Sequence, residues 1–274
     1  MIEKYQKMLE ENPESFCAIP EKHRSPELCM EAVKRWGYNL EFVPEGMKTK
    51  EMCRIALNAS PDLGYEDGQI LAHVPFSDVC LEAIKDFEGG VDILEIAYTL
   101  RKEVINQEIA DFLIEKDGCC LACLPLQLQT EELALKAVEV SGNSALLYTT
   151  IWDKVKTERV YLKGLTESHF QSFLVIPENR RTAEIYLMAE KLYPKQFRER
   201  PEIVPESIMS GCNVYTLNKA LEKITHQQFT INQIKAVFNG GGICVGNREI
   251  FFDKNEKKIR SNSLKQNKRP RLKI

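Results

Sequence analysis

The sequence predicts an all-α protein: an α-solenoid of about eight two-helix repeats of roughly 26 residues, followed by a small C-terminal helix, a β-hairpin and a basic tail. Three observations carry this. A proline recurs five residues ahead of a Ser or Thr. Apolar residues at helical spacing follow each Ser or Thr. The composition then changes near residue 225 and again at residue 254.

The recurrence is read directly. Ile19-Pro20-Glu21 leads to Ser25-Pro26-Glu27-Leu28-Cys29 and Ala32-Val33. Val43-Pro44-Glu45 leads to Thr49, Glu51-Met52-Cys53 and Ala56. Leu124-Pro125 leads to Thr130 and Glu132-Leu133-Ala134. Ile176-Pro177-Glu178 leads to Thr182 and Glu184-Ile185, and Val204-Pro205-Glu206 leads to Ser210. Continuing the phase through weaker copies places proline equivalents at Leu71, Tyr98 and Ile151. The first dozen residues, Glu3 to Glu11, form an additional helix that caps the array.

Each unit has a physical reading. Ser25, Thr49, Thr130, Thr182 and Ser210 stand at N-cap positions, where a hydroxyl accepts from an orphan amide of the first turn. Pro26 occupies the first helical position, where a missing N–H is harmless. Glu27, Glu51, Glu132 and Glu184 face the positive end of the helix dipole. Leu28, Cys29, Ala32, Val33 and Trp36 form one apolar stripe. Gly37, Gly64 and Gly118 fall just past the helix, where a C′ glycine is expected. A shorter apolar piece follows each, for example Leu40, Phe42 and Val43. Neither piece buries its apolar face alone, so neighbours are expected to stack. Residues 60–68 read as a polar connector.

The pattern from Ile19 to Glu45 resembles a family of short tandem helical repeats in bacterial proteins. That family is catalogued as a domain of unknown function, and copies occur in some Legionella effectors. The resemblance covers residues 16–58, 118–141 and 173–209. It implies an all-α repeat array of bacterial origin and no activity, so no catalytic residue is carried over.

The repeats span residues 1–225. In residues 226–253, Phe229–Phe238 reads as a helix capped by Thr230 and ended by the three glycines 240–242. The glycines follow a helix and lack the Lys-Ser/Thr of a phosphate loop. Ile243–Val245 and Arg248–Phe252 around Gly246-Asn247 read as a hairpin that docks on the last helices. Residues 254–274 hold nine basic side chains and one acid, a composition that predicts a disordered interaction tail. The overall balance of 37 basic and 40 acidic residues therefore hides an acidic array, with 28 basic against 39 acidic residues in the first 253, joined to a basic extension.

Composition narrows the function classes. Hydrophobic residues are 43 % and charged residues 28 %, which fits a soluble globular chain and excludes a collagen or a disordered protein. No apolar run reaches membrane-spanning length and no leader is visible, so a cytoplasmic location is expected, with delivery into a host cell if the protein is an effector. Nine cysteines without secretory features read as reduced thiols. Cys120 and Cys123 have CxxC spacing, but no second ligand pair follows. Cys29, Cys53 and Cys80 share one register position, as buried packing residues do. His23, His73, His169 and His226 match no nucleophile by spacing. Neither a cofactor nor a metal is expected.

The leading expectation is a non-catalytic scaffold that recognises a protein partner. Glu21 and Arg24, Glu45 and Lys48, and Glu178 and Arg181 are spaced as weak local ion pairs or, when stacked, as charged rows that read a partner. The candidate contacts are Arg24, Lys48 and Arg181, with Lys257, Lys258, Arg260, Lys268, Arg269, Arg271 and Lys273 of the tail. Three alternatives stand beside it. The basic tail could bind nucleic acid. The chain could be a bacterial effector or anti-defence protein acting on a host factor. An active site could be assembled from non-adjacent repeats.

Overall fold

The structure, a computed structural model, describes residues 2–59, 68–86, 92–147, 155–167 and 169–263. It is mostly helical with a small three-stranded antiparallel sheet near the C-terminus. The chain divides into two compact units, Met1–Glu167 and Ser168–Ile274. The division falls earlier than the expected change at residue 225, because the last helices pack with the sheet.

The first unit opens with α1 (Ile2–Glu11), as expected, and a 3-10 helix at Pro13–Ala18. Longer helices then alternate with short pieces. The long ones are α2 (Pro26–Arg35), α3 (Lys50–Ala59), α5 (Ser77–Asp86), α7 (Gln107–Lys116), α8 (Glu131–Ser141) and α10 (Glu158–Glu167). The short ones are the 3-10 helices Gly37–Phe42 and Gly118–Cys123 with α4 (Gly68–Leu71), α6 (Ile93–Thr99) and α9 (Asn143–Leu147). Each long helix packs on the next long helix, from α2 through α10. The short pieces likewise pack from Pro13–Ala18 to Gly37–Phe42 and on to α4, α6 and Gly118–Cys123, with α9 against the last.

Local chemistry explains the boundaries. The Ser25, Thr49 and Thr130 hydroxyls accept from the amides of Leu28, Met52 and Leu133 at 3.3, 3.1 and 3.2 Å. Asn106 and Thr157 cap α7 and α10 in the same way, accepting from Ile109 and Val160 at 3.0 and 3.4 Å. The phase expected from Tyr98 and Ile151 is thus displaced to these two caps. Three and four residues past each cap lie buried pairs: Leu28 and Cys29, Met52 and Cys53, Val79 and Cys80, Ile109 and Ala110, Leu133 and Ala134, Val160 and Tyr161. Asn39, wholly buried, donates to the carbonyls of Pro13 and Ala32, both at 2.9 Å, and ties a short piece to its neighbours.

Gly37 and Gly118 have a different purpose from the one expected. Neither ends a helix in a left-handed conformation; the C-caps are Trp36 and Asp117, in extended backbone. Each glycine instead begins a 3-10 helix pressed against a long helix. A Cβ on Gly37 would lie 2.4 Å from the Ala56 carbonyl oxygen, and one on Gly118 would lie 2.1 Å from that of Ala137. The constraint is close backbone approach. Gly64 lies outside the described residues.

The second unit holds α11 (Gln171–Val175), α12 (Ala183–Leu192), α13 (Pro194–Glu199), α14 (Glu206–Ser210), α15 (Val214–Thr225) and α16 (Ile231–Phe238). Thr182 caps α12 as expected. Ser210 does not cap a helix: it ends α14, and Asn213 caps α15 with a reciprocal capping box to Thr216. Asn213 accepts from a backbone amide as a hydroxyl would, so the cap moved three residues with no change in chemistry. An aromatic cluster of Phe170, Phe173, Tyr186, Tyr193 and Phe197, with neighbouring rings 5.4–6.2 Å apart, fills the space between α11, α12 and α13.

Thr230 caps α16 and Gly240, at φ +95°, follows its end. The hairpin forms as expected from β1 (Gly242–Val245) and β2 (Arg248–Asp253), with Gly246 at φ +59°. A third strand, β3 (Lys258–Ser263), pairs antiparallel with β2. This corrects the expectation of disorder from residue 254. Asp253 nucleates the turn by accepting from the amides of Asn255 and Glu256 at 3.0 and 3.2 Å, and Ile259 pairs with the buried Phe252. Residues 264–274 lie outside the described residues.

Gly118→Ala forces the 3-10 helix at Gly118–Cys123 away from α8. It is expected to cost about 1–3 kcal/mol, read as a lower urea unfolding midpoint, whereas Gly46→Ala, where a Cβ meets nothing within 4 Å, is expected to leave the midpoint unchanged.

Candidate partner-binding surfaces

The end of a short helix leaves carbonyls with no partner in their own segment. Here side chains supply the missing donors. Arg24 Nε donates to the Ile19 carbonyl at 2.8 Å and Nη2 to that of Cys17 at 3.2 Å, while Nη1 reaches the Phe42 carbonyl at 2.6 Å. The guanidinium lies 5.2 Å from the centre of the buried Phe16 ring. In the second unit Arg181 repeats this geometry. Its Nε donates to Ile176 at 2.9 Å and its Nη2 to Leu174 at 3.2 Å, with the group 4.6 Å above the buried Phe173 ring.

Other residues ahead of long helices act alike. Lys48 Nζ donates to the His73 carbonyl at 3.0 Å and to Glu45 at 2.7 Å, with its side chain only 1 % exposed. Gln129 donates to Leu124 at 2.7 Å, Lys156 to Leu146 at 3.1 Å, and Lys102 to the Cys123 carbonyl. Arg101 joins Glu45 at 3.1 Å. The bond from Lys48, helped by the bond from Arg101 and opposed by burial, holds the Glu45 carboxyl below its ordinary range. Burial, reinforced by the Lys48 charge, lowers the His73 pKa.

This placement revises the expected basic row. Arg24, Lys48 and Arg181 turn their donors to main-chain carbonyls inside their own units. Of the three expected local ion pairs, Lys48–Glu45 is formed at 2.7 Å, while Arg24 and Arg181 are engaged with carbonyls. A planar guanidinium that meets two or three carbonyls under an aromatic ring accounts for arginine at these two positions.

The outer surface of the long helices is laced by ion pairs between neighbours. Lys50–Asp78, Arg54–Glu82, Lys85–Glu108 and Lys136–Asp111 lie at 2.6, 2.9, 3.2 and 3.1 Å, and Lys163–Glu139 at 3.8 Å. All are solvent-accessible, so each contributes about 0–1 kcal/mol.

Cys29, Cys53, Cys80, Cys119, Cys120 and Cys123 are buried and reduced, while Cys17, Cys212 and Cys244 are exposed. Burial is the leading cause that pushes the buried thiols up, Cys53 to about 11 and Cys80 and Cys119 to about 12. Cys29, Cys120 and Cys123 are raised by the same cause. These groups stay as neutral thiols at physiological pH, the opposite of what a thiolate ligand or nucleophile needs. Among the described residues no cluster of His, Cys, Asp and Glu could hold a metal ion.

In the second unit a cavity of about 580 Å³ is lined by Glu190, Lys191, Asn218, Lys219, Glu222 and Phe229, among others. Its charges are largely engaged: Lys219 pairs with Glu190 at 2.6 Å, Asn218 donates to Glu222 at 3.0 Å, and Lys191 donates to the Phe229 carbonyl.

Large apolar side chains are also exposed in the first unit. Leu126 is 69 % exposed and Tyr98 64 %. Tyr98 closes α6, and the nearby Cys123 sulfur pushes its phenol up from the ordinary value. Tyr98 lies in the short helix α6, and Leu126 follows the short helix Gly118–Cys123 by three residues. Sequence reading missed both as contacts. Tyr98 occupied an assumed proline position, and a leucine after a proline reads as core. Lys257 and Lys258 are exposed at the β2–β3 turn and Arg260 is in β3, where it pairs with Asp253 at 3.2 Å. Lys268, Arg269, Arg271 and Lys273 lie outside the described residues. No helix among the described residues is long and apolar enough to cross a membrane.

Arg24→Ala removes three charge-assisted bonds and is expected to cost about 2–3 kcal/mol by urea unfolding, with Arg24→Lys recovering only part, since one ammonium cannot span the three carbonyls.

The raised thiols fix an alkaline response. Folding favours the protonated form, so their contribution is complete below the ordinary thiol pKa of 9.0 and is lost as pH rises toward 11–12. The urea midpoint is expected to fall from pH 9 to 11, and more gently in Cys80→Ala, by up to about 1.4 kcal/mol per pH unit for the removed thiol.

No family model, curated protein or solved structure matches the chain.

Proposed function

We propose that the chain is a non-catalytic helical-repeat protein that recognises a protein partner, its first unit an α-solenoid whose short-helix side carries the contact. The repeat reading is supported by the recurrence of cap, buried pair, close glycine approach and carbonyl-directed donor from one segment to the next. Residues Ile19–Glu45, which resemble the bacterial helical-repeat family, belong to that reading.

One observation carries the choice of a protein partner. The short-helix side has turned Arg24, Lys48, Lys102 and Lys156 onto main-chain carbonyls, while Tyr98 and Leu126 remain exposed. A nucleic-acid surface needs cations free to replace counterions at phosphates. A protein partner instead gains by removing large apolar side chains from water. The long helices offer less, since many of their charges already pair with those of the neighbouring helix.

The test is capture from the source cell with wild-type protein and with Tyr98→Ala/Leu126→Ser, both exposed and so neutral for folding. A partner protein is expected on the wild type at 150 and 500 mM salt, with its affinity for the double variant lower by about a hundredfold. Equal binding by the variant, or a captured species that is nucleic acid and leaves at high salt, overturns the proposal.

A further inference from the structure

We propose that the outer edge of β3 accepts an extended acidic segment of a protein partner as a fourth strand. This surface lies in the second unit and does not depend on the reading given to Tyr98 and Leu126.

The backbone supplies the first argument. The strand order is β1-β2-β3, so among the described residues β3 has one hydrogen-bonded neighbour. Its outward N–H and C=O groups are a template for another strand. All of β3 except Ile259 is exposed, and Ile259 is half-buried.

The inner face supplies the second. α16 packs on β1 and β2. Beside it, between the end of α15 and the sheet, is a cavity of about 330 Å³ whose apolar lining is Ile224, Val245, Ile250 and Ile259. Ile224 is 59 % exposed. An added strand points alternate side chains to opposite faces. One set, if aliphatic, enters this cavity and covers Ile224.

Charge supplies the third. Arg248 and Arg260 also line the cavity, beside Thr225 and Ser261. Register places Lys258 opposite Asp253 and Arg260 opposite Phe251. Arg260 is compensated by Asp253 and Glu256, and Lys254 lies 5.8 Å from the Phe238 ring centre. Lys257, Lys258 and Arg248 add positive charge around the edge. A basic edge repels a second copy of itself, which is how natural edge strands avoid self-pairing. An acidic strand meets the same charges with opposite sign. The aliphatic floor of the cavity and the backbone template favour a peptide over a nucleic acid, which needs stacking surfaces.

The experiment uses the full chain and three fluorescent probes: acetyl-(Glu-Val)3-Glu-amide, its Lys-Val counterpart and a dT oligonucleotide of matched length. The acidic peptide is expected to bind at least about tenfold tighter than either other probe and to slow amide exchange within residues 258–263. Ile224→Asp is expected to weaken it about tenfold, and Lys258→Glu/Arg248→Glu to shift preference toward the Lys-Val peptide. Thermal melting confirms that each variant folds, with Ile224→Ser as the substitute where Asp does not. Equal binding of the two peptides, no protection of 258–263, insensitivity to the variants, tighter binding of the oligonucleotide, or self-association through β3 overturns the inference.

Discussion

A short helix cannot satisfy its own last carbonyls, and the rest of this molecule is arranged around that fact. A 3-10 helix of six residues spends much of its length on its ends. Burying those ends without donors would cost roughly 1–3 kcal/mol for each orphaned group. The chain answers with a long polar side chain just ahead of a long helix: Arg24, Lys48, Gln129, Lys156 or Arg181. Because Arg24 and Lys48 reach carbonyls of the following segment, one side chain both ends a short helix and joins neighbours.

That arrangement decides where charge can and cannot work. Cations committed to main-chain oxygens are withdrawn from the surface, and Lys50, Arg54, Lys85, Lys136 and Lys163 on the long helices are answered by carboxylates one helix away. The first unit therefore answers much of its charge internally, with Tyr98 and Leu126 among its large exposed apolar side chains. The sheet differs. Its basic residues accumulate around an open strand, and only Arg260 is doubly compensated. On the two proposals, the units would offer partners different chemistry: burial of apolar groups in one, backbone pairing with charge selection in the other.

Much of the fold was legible because caps and apolar stripes are local. Ser25, Thr49, Thr130, Thr182 and Thr230 each declare a helix start, and the period-3.6 stripes declare which face is buried. Gly246-Asn247 declared the hairpin. Three features escaped. Asn213 does the work assigned to Ser210, because an amide oxygen caps as well as a hydroxyl. β3 has one apolar residue, Ile259, so its strand character comes from β2 and from the Asp253 turn rather than from its own alternation. The arginines were legible as charged and not as buried-facing, since the carbonyls they meet become neighbours only after the short helices form. The proposed site was less legible than the fold for the same reason: exposure of Tyr98 and Leu126 is a property of tertiary packing.

The glycines at 37 and 118 have a consequence for how such a sequence can change over time. At both positions the neighbour is a main-chain oxygen, which no substitution elsewhere can shorten or remove. A side chain in a core can be enlarged when the one opposite shrinks, so most of the interior can drift in compensated pairs. A glycine facing a carbonyl has no such counterpart to trade with. Those two sites are fixed points around which the remaining residues of their interfaces are free to diverge.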